Sequence, residues 1–443
     1  MFKRKAYDKL LKWKNEYADR YAAMLEGARR VGKSTIAAEF AKREYKSYIL
    51  IDFANIKKEL LEVFEDVADL EIFFLRLQAV TGVKLYKGDS AIIFDEIQLF
   101  PKARQAIKYL VKDGRYHYIE TGSLISIKKN VKNIVIPSEE YKINVYPMDY
   151  EEFLSATGLG DYGVLREINQ FKKPIGEAAH RGLMRNFRIY LAVGGMPQAV
   201  DAFLKGKSFE EIDFVKREII SLYADDFRKI DSSGRISLIY QNIPSQLAFN
   251  KKRFILSKAL NKRVTSKDEE LLSDLIDSKT VLISYNSASP SVSLSQTKNL
   301  SSYKLYFSDV GLFTTTLFND GSKTNETIYQ KLLSNKNDFN LGYLYENAVA
   351  QMIKASDKEL FYHTWQKDES THYFEVDFLC VKNNKVVPIE VKSGKILNYN
   401  SLKEFNKKYS SVVGESYVVS QKDYDKNQTI ELKPIYLTPF LVE

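Results

Sequence analysis

Two stretches of this sequence combine residue types and spacings that could do chemistry. The first is Gly27-Ala28-Arg29-Arg30-Val31-Gly32-Lys33-Ser34-Thr35. Glycines at its first and sixth positions let backbone N–H groups close around phosphate oxygens. Lys33 adds a cation for those phosphates, and the Ser34 hydroxyl is the expected Mg²⁺ ligand. The second is Pro388-Ile389-Glu390-Val391-Lys392, where an acid and a lysine two positions apart share one face of a strand. Such a pair suits a metal-dependent attack on a phosphodiester.

The elements that must position the first group follow in order. Apolar residues 22–25 read as a short strand entering the loop, and Ile36, Ala37 and Phe40 give the helical spacing after it. The helix N-terminus then adds its positive dipole end to the phosphate site. "YILIDF" (48–53) reads as a second buried strand, and "AIIFDEIQ" (91–98) as an apolar strand ending in Asp95 and Glu96. Asp95 fits a carboxylate at the Mg²⁺, and Glu96 fits the base that orients an attacking water. "YHYIETGS" (116–123) ends in Thr121 and Ser123, whose hydroxyls could sense the γ-phosphate or hold that water. "YKINVYPMDYEEFL" (141–154) predicts a fifth strand and a helix with acids in its first turn. Strands alternating with helices predict a parallel sheet covered on both faces. Arg104, Arg115 and Arg228 are each conceivable sensors of the γ-phosphate, and the sequence does not choose among them.

"GARRVGKST", "IIFDEIQ", "TGS", "VYPMDYEEFL" and "YLAVGGMPQAV" together resemble the prokaryotic AAA-like P-loop ATPases related to the archaeal ATPase and STAND groups. In that family the core is followed by a helical lid, a winged helix and a nuclease-like domain of unknown function. The resemblance implies ATP and Mg²⁺ as cofactors, with Gly27, Gly32, Lys33, Ser34, Thr35, Asp95, Glu96 and Thr121 at the nucleotide. It also implies that Gly195 and Pro197 form a lid motif beside the adenine. On periodicity alone Gly194-Gly195 breaks a helical pattern and Pro197 opens the next helix.

Bulk properties bound these readings. A chain of 443 residues exceeds one hydrophobic core and should form two to four domains. A net charge of +9, from 66 basic and 57 acidic residues, permits nucleic-acid contact without requiring it. Cys380 is the single cysteine, which excludes an internal disulfide and a thiolate zinc cluster. No apolar run approaches the ~18 residues of a membrane span, and the charged start lacks an apolar leader. A cytoplasmic protein without membrane contact is expected.

Residues 235–285 read as short helices and a strand, a pattern that fits a winged helix. Residues 251–267 hold seven Lys or Arg and no acid, attractive to DNA phosphates. Asp268, Glu269, Glu270 and Asp274 open the next helix and would repel them, so an intramolecular or protein-binding winged helix stands level with a DNA reader. The serine-rich stretch 288–302 reads as a boundary or loop, and Asp309 as a turn cap before Gly311.

In the last third, a helix carries Glu346, "YFEVDFLCV" alternates as a strand with Asp377, and "KNNK" reads as a hairpin turn before Glu390 and Lys392. The order helix-Glu, strand-Asp, strand-Glu-x-Lys resembles the PD-(D/E)XK nuclease fold. It implies a divalent metal at Glu346, Asp377 and Glu390, with Lys392 beside it. Without a cation, the crowded carboxylates should show a raised pKa or a lysine contact.

The expected fold class is therefore multidomain α/β. It comprises a P-loop core (1–160), a helical lid (161–227), a winged helix (228–290) and a nuclease-like domain (291–443). The expected function is ATP binding and hydrolysis as a conformational switch coupled to DNA, to protein partners or to a homo-oligomer. An ATP-regulated nuclease, and a binding module with a vestigial nuclease fold, stand as alternatives.

Overall fold

The computed structural model describes residues 2–64, 67, 69–122, 137–249, 253–318, 326–334, 342–368, 370–394 and 398–442. Ser123 and the first two residues of the basic stretch, 251 and 252, lie outside the described residues. The chain divides into two compact units: Met1–Tyr146 with Asp277–Lys279, and Pro147–Ile276 with Thr280–Glu443.

In the first unit, β1 (Ala22–Glu26), β2 (Ser47–Asp52), β3 (Ser90–Asp95), β4 (His117–Gly122) and β5 (Glu140–Asn144) form a sheet in the order β2-β3-β4-β1-β5. Every pairing in it is parallel, as the alternation of strands and helices predicts. β1 and β4 are buried along their whole length, because helices cover both faces of a parallel sheet. One face packs Phe53, Phe64, Phe73 and Phe94 with Ile107 and Leu110 of helix Pro101–Asp113. β4 lies between β3 and β1, so Thr121 at its end stands between Asp95 and the loop that follows Glu26.

The second unit joins segments that the sequence separates. Its mixed sheet contains β6 (Val281–Ser287), β7 (Lys298–Phe307), β8 (Leu360–Gln366), β9 (Tyr373–Lys382), β10 (Lys385–Lys392), β11 (Ser416–Ser420), β12 (Asp425–Asn427) and β13 (Ile430–Pro434). These run in the order β12-β13-β11-β10-β9-β8-β6-β7. The expected boundary at 290/291 falls in the β6–β7 connection, yet β6 pairs antiparallel with β7 and parallel with β8. The strand expected to end the winged helix, β6, is thus part of the larger sheet. Helices of the expected lid are likewise bound to the C-terminal segment. Tyr162 stacks on Phe440 with centroids 4.7 Å apart, and Lys172 Nζ donates to Glu431 at 2.8 Å. The expected core boundary at residue 160 moves to Tyr146/Pro147, since Tyr150 and Phe153 pack against Phe187 and Tyr190.

The turn expected at "KNNK" is present, pairing Lys385 with Lys382. Asn383 and Asn384 have φ of 50° and 55°, the left-handed pair that a two-residue hairpin turn demands. Asp309 caps helix Val310–Leu317 by accepting from Leu312 N at 2.9 Å. Pro197 begins helix Pro197–Leu204. Among the described residues no helix is long and apolar enough to cross a membrane.

His363 of β8 ties the sheet to helix Asn400–Lys408 and its C-terminal cap. Its Nδ1 lies 2.6 Å from Ser287 O, its Nε2 lies 2.9 Å from Tyr409 Oη, and its ring stacks on Trp365. Burial pushes its pKa down to about 4. Because the folded pKa lies below that of the unfolded chain, the neutral ring stabilises fully above about pH 6.5, and that stability is lost as pH falls through about 4. The loss should amount to about 2 kcal/mol after allowance for solvent screening. Urea midpoints between pH 7 and 4 should therefore fall less steeply in His363→Phe than in the natural chain. Equal slopes would contradict the assignment.

Candidate functional site

The loop of residues 27–35 is built by strain and close packing. Gly32 has φ 96° and Arg30 φ 70°, left-handed conformations of the kind that backbone nests for anions use. At Gly27 a Cβ would lie 2.2 Å from Val145 O, so only glycine lets the backbone pass there. Gly27, Ala28 and Val31 are buried, Arg29, Gly32 and Ser34 are half-buried, and Arg30 and Thr35 are exposed. Lys33, 6 % exposed, donates to Gly27 O at 3.1 Å and Ala28 O at 3.0 Å. Burial lowers its pKa to about 8 despite the opposing fields of Glu96 and Asp95. It is a desolvated cation, held inside the loop by carbonyls that anionic oxygens could replace.

Asp95 and Thr121 meet beside this loop. Thr121 Oγ1 donates to Asp95 Oδ1 and accepts from Glu96 N at 3.3 Å. Glu96 adopts φ 53°, uncommon for a residue with a Cβ. Strain of that kind persists where surrounding contacts impose it, often at functional positions. Gln98 Nε2 donates to Glu96 Oε2, which fixes the carboxylate. The structure therefore brings Lys33, Asp95, Glu96 and Thr121 together, with Ser34 on the first turn of helix Lys33–Glu44.

In the second unit the antiparallel register Ile389↔Phe378 sets Glu390 opposite Asp377. Asp377 Oδ2 accepts from Val391 N at 2.8 Å, and Lys392 Nζ donates to Glu390 Oε1 at 2.6 Å. Burial, then Glu390 and Glu346, raise the Asp377 pKa well above the carboxylate range. Burial raises that of Glu390 to about 7, against the pull of Lys392. The raised pKa and the lysine contact expected of crowded carboxylates are both present. Glu346 of helix Gly342–Ala355 is engaged elsewhere: it accepts from Tyr306 Oη and, at 2.9 Å, from Lys304 Nζ. Lys304 also donates to Glu375 Oε1 at 2.6 Å. Burial opposes its charge, but the fields of Glu346 and Glu375 hold its pKa well above the usual value. Among the described residues no three carboxylate, histidine or cysteine side chains converge as a metal site.

Three segments of the chain match known families. Residues 19–154 match the AAA domain family. That match falls almost wholly within the amino-terminal unit, which is similar to AAA domains. Residues 184–323 and 341–438 match two domains of unknown function, DUF8612 and DUF4143. No curated protein matches the chain. Among solved structures, the Walker-type ATPase PABY2304 of Pyrococcus abyssi is 16 % identical with a TM-score of 0.44, covering 71 % of this chain and 96 % of its own. Protein VC1899 from Vibrio cholerae is 11 % identical with a TM-score of 0.18, covering 95 % and 96 %.

Within the first unit, two of the candidate arginines have structural partners. Arg104 is buried and binds Glu140 through Nε and Nη2, both at 2.8 Å. Arg115 pairs with Asp113 at 2.7 Å and Glu71 at 2.8 Å and lies over the Phe74 ring. Arg228, in the second unit, is exposed and 3.4 Å from Asp225. Sequence reasoning missed Arg4, which donates from Nη1 to Val31 O at 2.9 Å and from Nη2 to Tyr146 O at 2.6 Å, bracing the 27–35 loop from the N-terminal segment. No spacing rule points to it. It also missed Lys304, Tyr306 and Glu375; the alternation in "EVD" could have flagged Glu375 as sharing the Asp377 face.

In the second unit, Gly194 and Gly195 are packing residues. A Cβ on Gly195 would lie 1.9 Å from Met148 O, and one on Gly194 would lie 2.5 Å from Asp309 Oδ1. Asp268, expected to repel phosphates, is buried and neutralised: it accepts from Arg235 at 2.9 Å and pairs with Lys262 at 2.9 Å.

Proposed function

We propose that this protein binds ATP with Mg²⁺ at residues 27–35 and hydrolyses it as a conformational switch. The observation that carries the reading is the meeting of Lys33, Asp95, Glu96 and Thr121 at the ends of adjacent strands. ATP fits the donor set: a buried ammonium and left-handed glycine and arginine backbone in a loop that opens a helix. Mg²⁺ fits the oxygen donors Ser34 and Asp95, and would supply charge neutralisation of the phosphates. In this scheme Lys33 binds phosphate oxygens and Thr121 holds Asp95 in place. Glu96, fixed by Gln98, accepts the proton of the attacking water.

Phosphate release from ATP by the full chain, with Mg²⁺ and with excess EDTA, tests this. Turnover that chelation removes is expected; ATP left intact with Mg²⁺ present would sink it.

A second activity, divalent-metal-dependent cleavage of DNA under ATP control, is supported by the strand carboxylates Asp377 and Glu390 with Lys392. Cleavage of single- and double-stranded DNA with Mg²⁺ or Mn²⁺, lost in Asp377→Ala, would establish it. With no cleavage, the sheet is left as a binding scaffold for DNA or protein.

A further inference from the structure

The C-terminal cluster contains a cation of its own. Lys304 of β7 is 4 % exposed, and its ammonium bridges Glu346 Oε1 at 2.9 Å and Glu375 Oε1 at 2.6 Å. Tyr306, two residues along the same strand face, adds a hydroxyl donor to that Glu346 oxygen. The Tyr362 ring lies 5.3 Å from the ammonium. We propose that Lys304 is a built-in counter-ion that withholds Glu346 and Glu375 from cation ligation, leaving room for a single divalent cation between Asp377 and Glu390. The inference rests on the reading that this cluster takes a divalent cation.

The remaining oxygens point the same way. Asp377 spends Oδ2 on Val391 N, and Glu390 spends Oε1 on Lys392. Glu390 Oε2 is buried with no hydrogen-bond partner, in a side chain whose residue is 4 % exposed. A buried carboxylate oxygen left unsatisfied is costly in a folded protein, and a cation is a partner of the right sign. Charge agrees: four carboxylates, Glu346, Glu375, Asp377 and Glu390, face two ammonium groups, Lys304 and Lys392. Fully ionised, they leave a charge of −4 + 2 = −2, which one divalent cation cancels. Recruiting Glu346 as a further ligand would strip Lys304 of a partner and leave a buried ammonium short of counter-charge.

Mn²⁺ titration of the full, nucleotide-free chain by calorimetry tests this. The natural chain should bind one Mn²⁺ that Asp377→Asn abolishes. Glu346→Gln and Glu375→Gln should each stay within about threefold of its affinity, under ~0.7 kcal/mol. Lys304→Met should bind Mn²⁺ at least about tenfold tighter, or bind a second ion, because it frees two carboxylates. Should Lys304→Met fail to fold, the two glutamine variants still decide, since glutamine keeps the shape and hydrogen-bonding reach of glutamate. A loss of about tenfold or more in Glu346→Gln would make Glu346 a ligand and overturn the withholding role, while leaving the cation reading intact. Absence of Mn²⁺ from both the natural chain and Lys304→Met would overturn both.

Discussion

Lys33→Ala is expected to abolish binding of Mg²⁺–ATP, and Glu96→Gln to retain binding while hydrolysis falls by about a hundredfold or more. The two changes separate because the residues do different work. The Lys33 ammonium sits inside the loop against Gly27 and Ala28 carbonyls, a cation already desolvated where anionic oxygens would lie. Its removal takes away the charge that draws phosphate into the cradle. Glu96 is held at φ 53° with its amide on Thr121 and its carboxylate on Gln98, so glutamine can take its place without reshaping the loop. What glutamine cannot do is accept a proton from water. Binding of a fluorescent ATP analogue and release of phosphate, measured on both variants, check the pair. Wild-type turnover in Glu96→Gln would remove that residue from the base role.

Gly195→Ala should be among the most destabilising single changes in the second unit, by about 3 kcal/mol or more. The added Cβ would lie 1.9 Å from Met148 O and 2.7 Å from Met148 N, backbone atoms that cannot swing aside like a side-chain tip. The contact is also hydrogen-bonded: Met148 N donates to Gly195 O at 2.7 Å, and Gly195 N donates to Asp309 Oδ2 at 2.6 Å. Gly182→Ala provides the control. Gly182 lies exposed in helix Glu177–Val193 with nothing within 4 Å of a built Cβ, so alanine there should stabilise by ~0.5–1 kcal/mol. Urea unfolding of the three chains reads both effects. Equal midpoints for Gly195→Ala and the natural chain would mean that the two backbones can part at little cost.

The sequence by itself determined what depends on local patterns. The loop at 27–35, the apolar strands before Asp95 and Thr121, the parallel sheet, the Asn383–Asn384 turn and the Asp377–Glu390 pairing all follow from spacing within short windows. Backbone periodicity and turn chemistry act over such distances, so a linear reading can find them. Tertiary structure alone decided the contacts made across long stretches of chain. Arg4 reaches Val31 and Tyr146, Lys304 gathers Glu346 and Glu375, and β6 pairs with β8 and so removes the expected boundary at 290/291. Glu346 shows the difference most sharply. Its position in the sequence made it a metal ligand by resemblance, but a buried ammonium from β7 claims its carboxylate. A buried charge takes whichever opposite charge the fold brings nearest, because leaving either one unpaired costs more than any local preference.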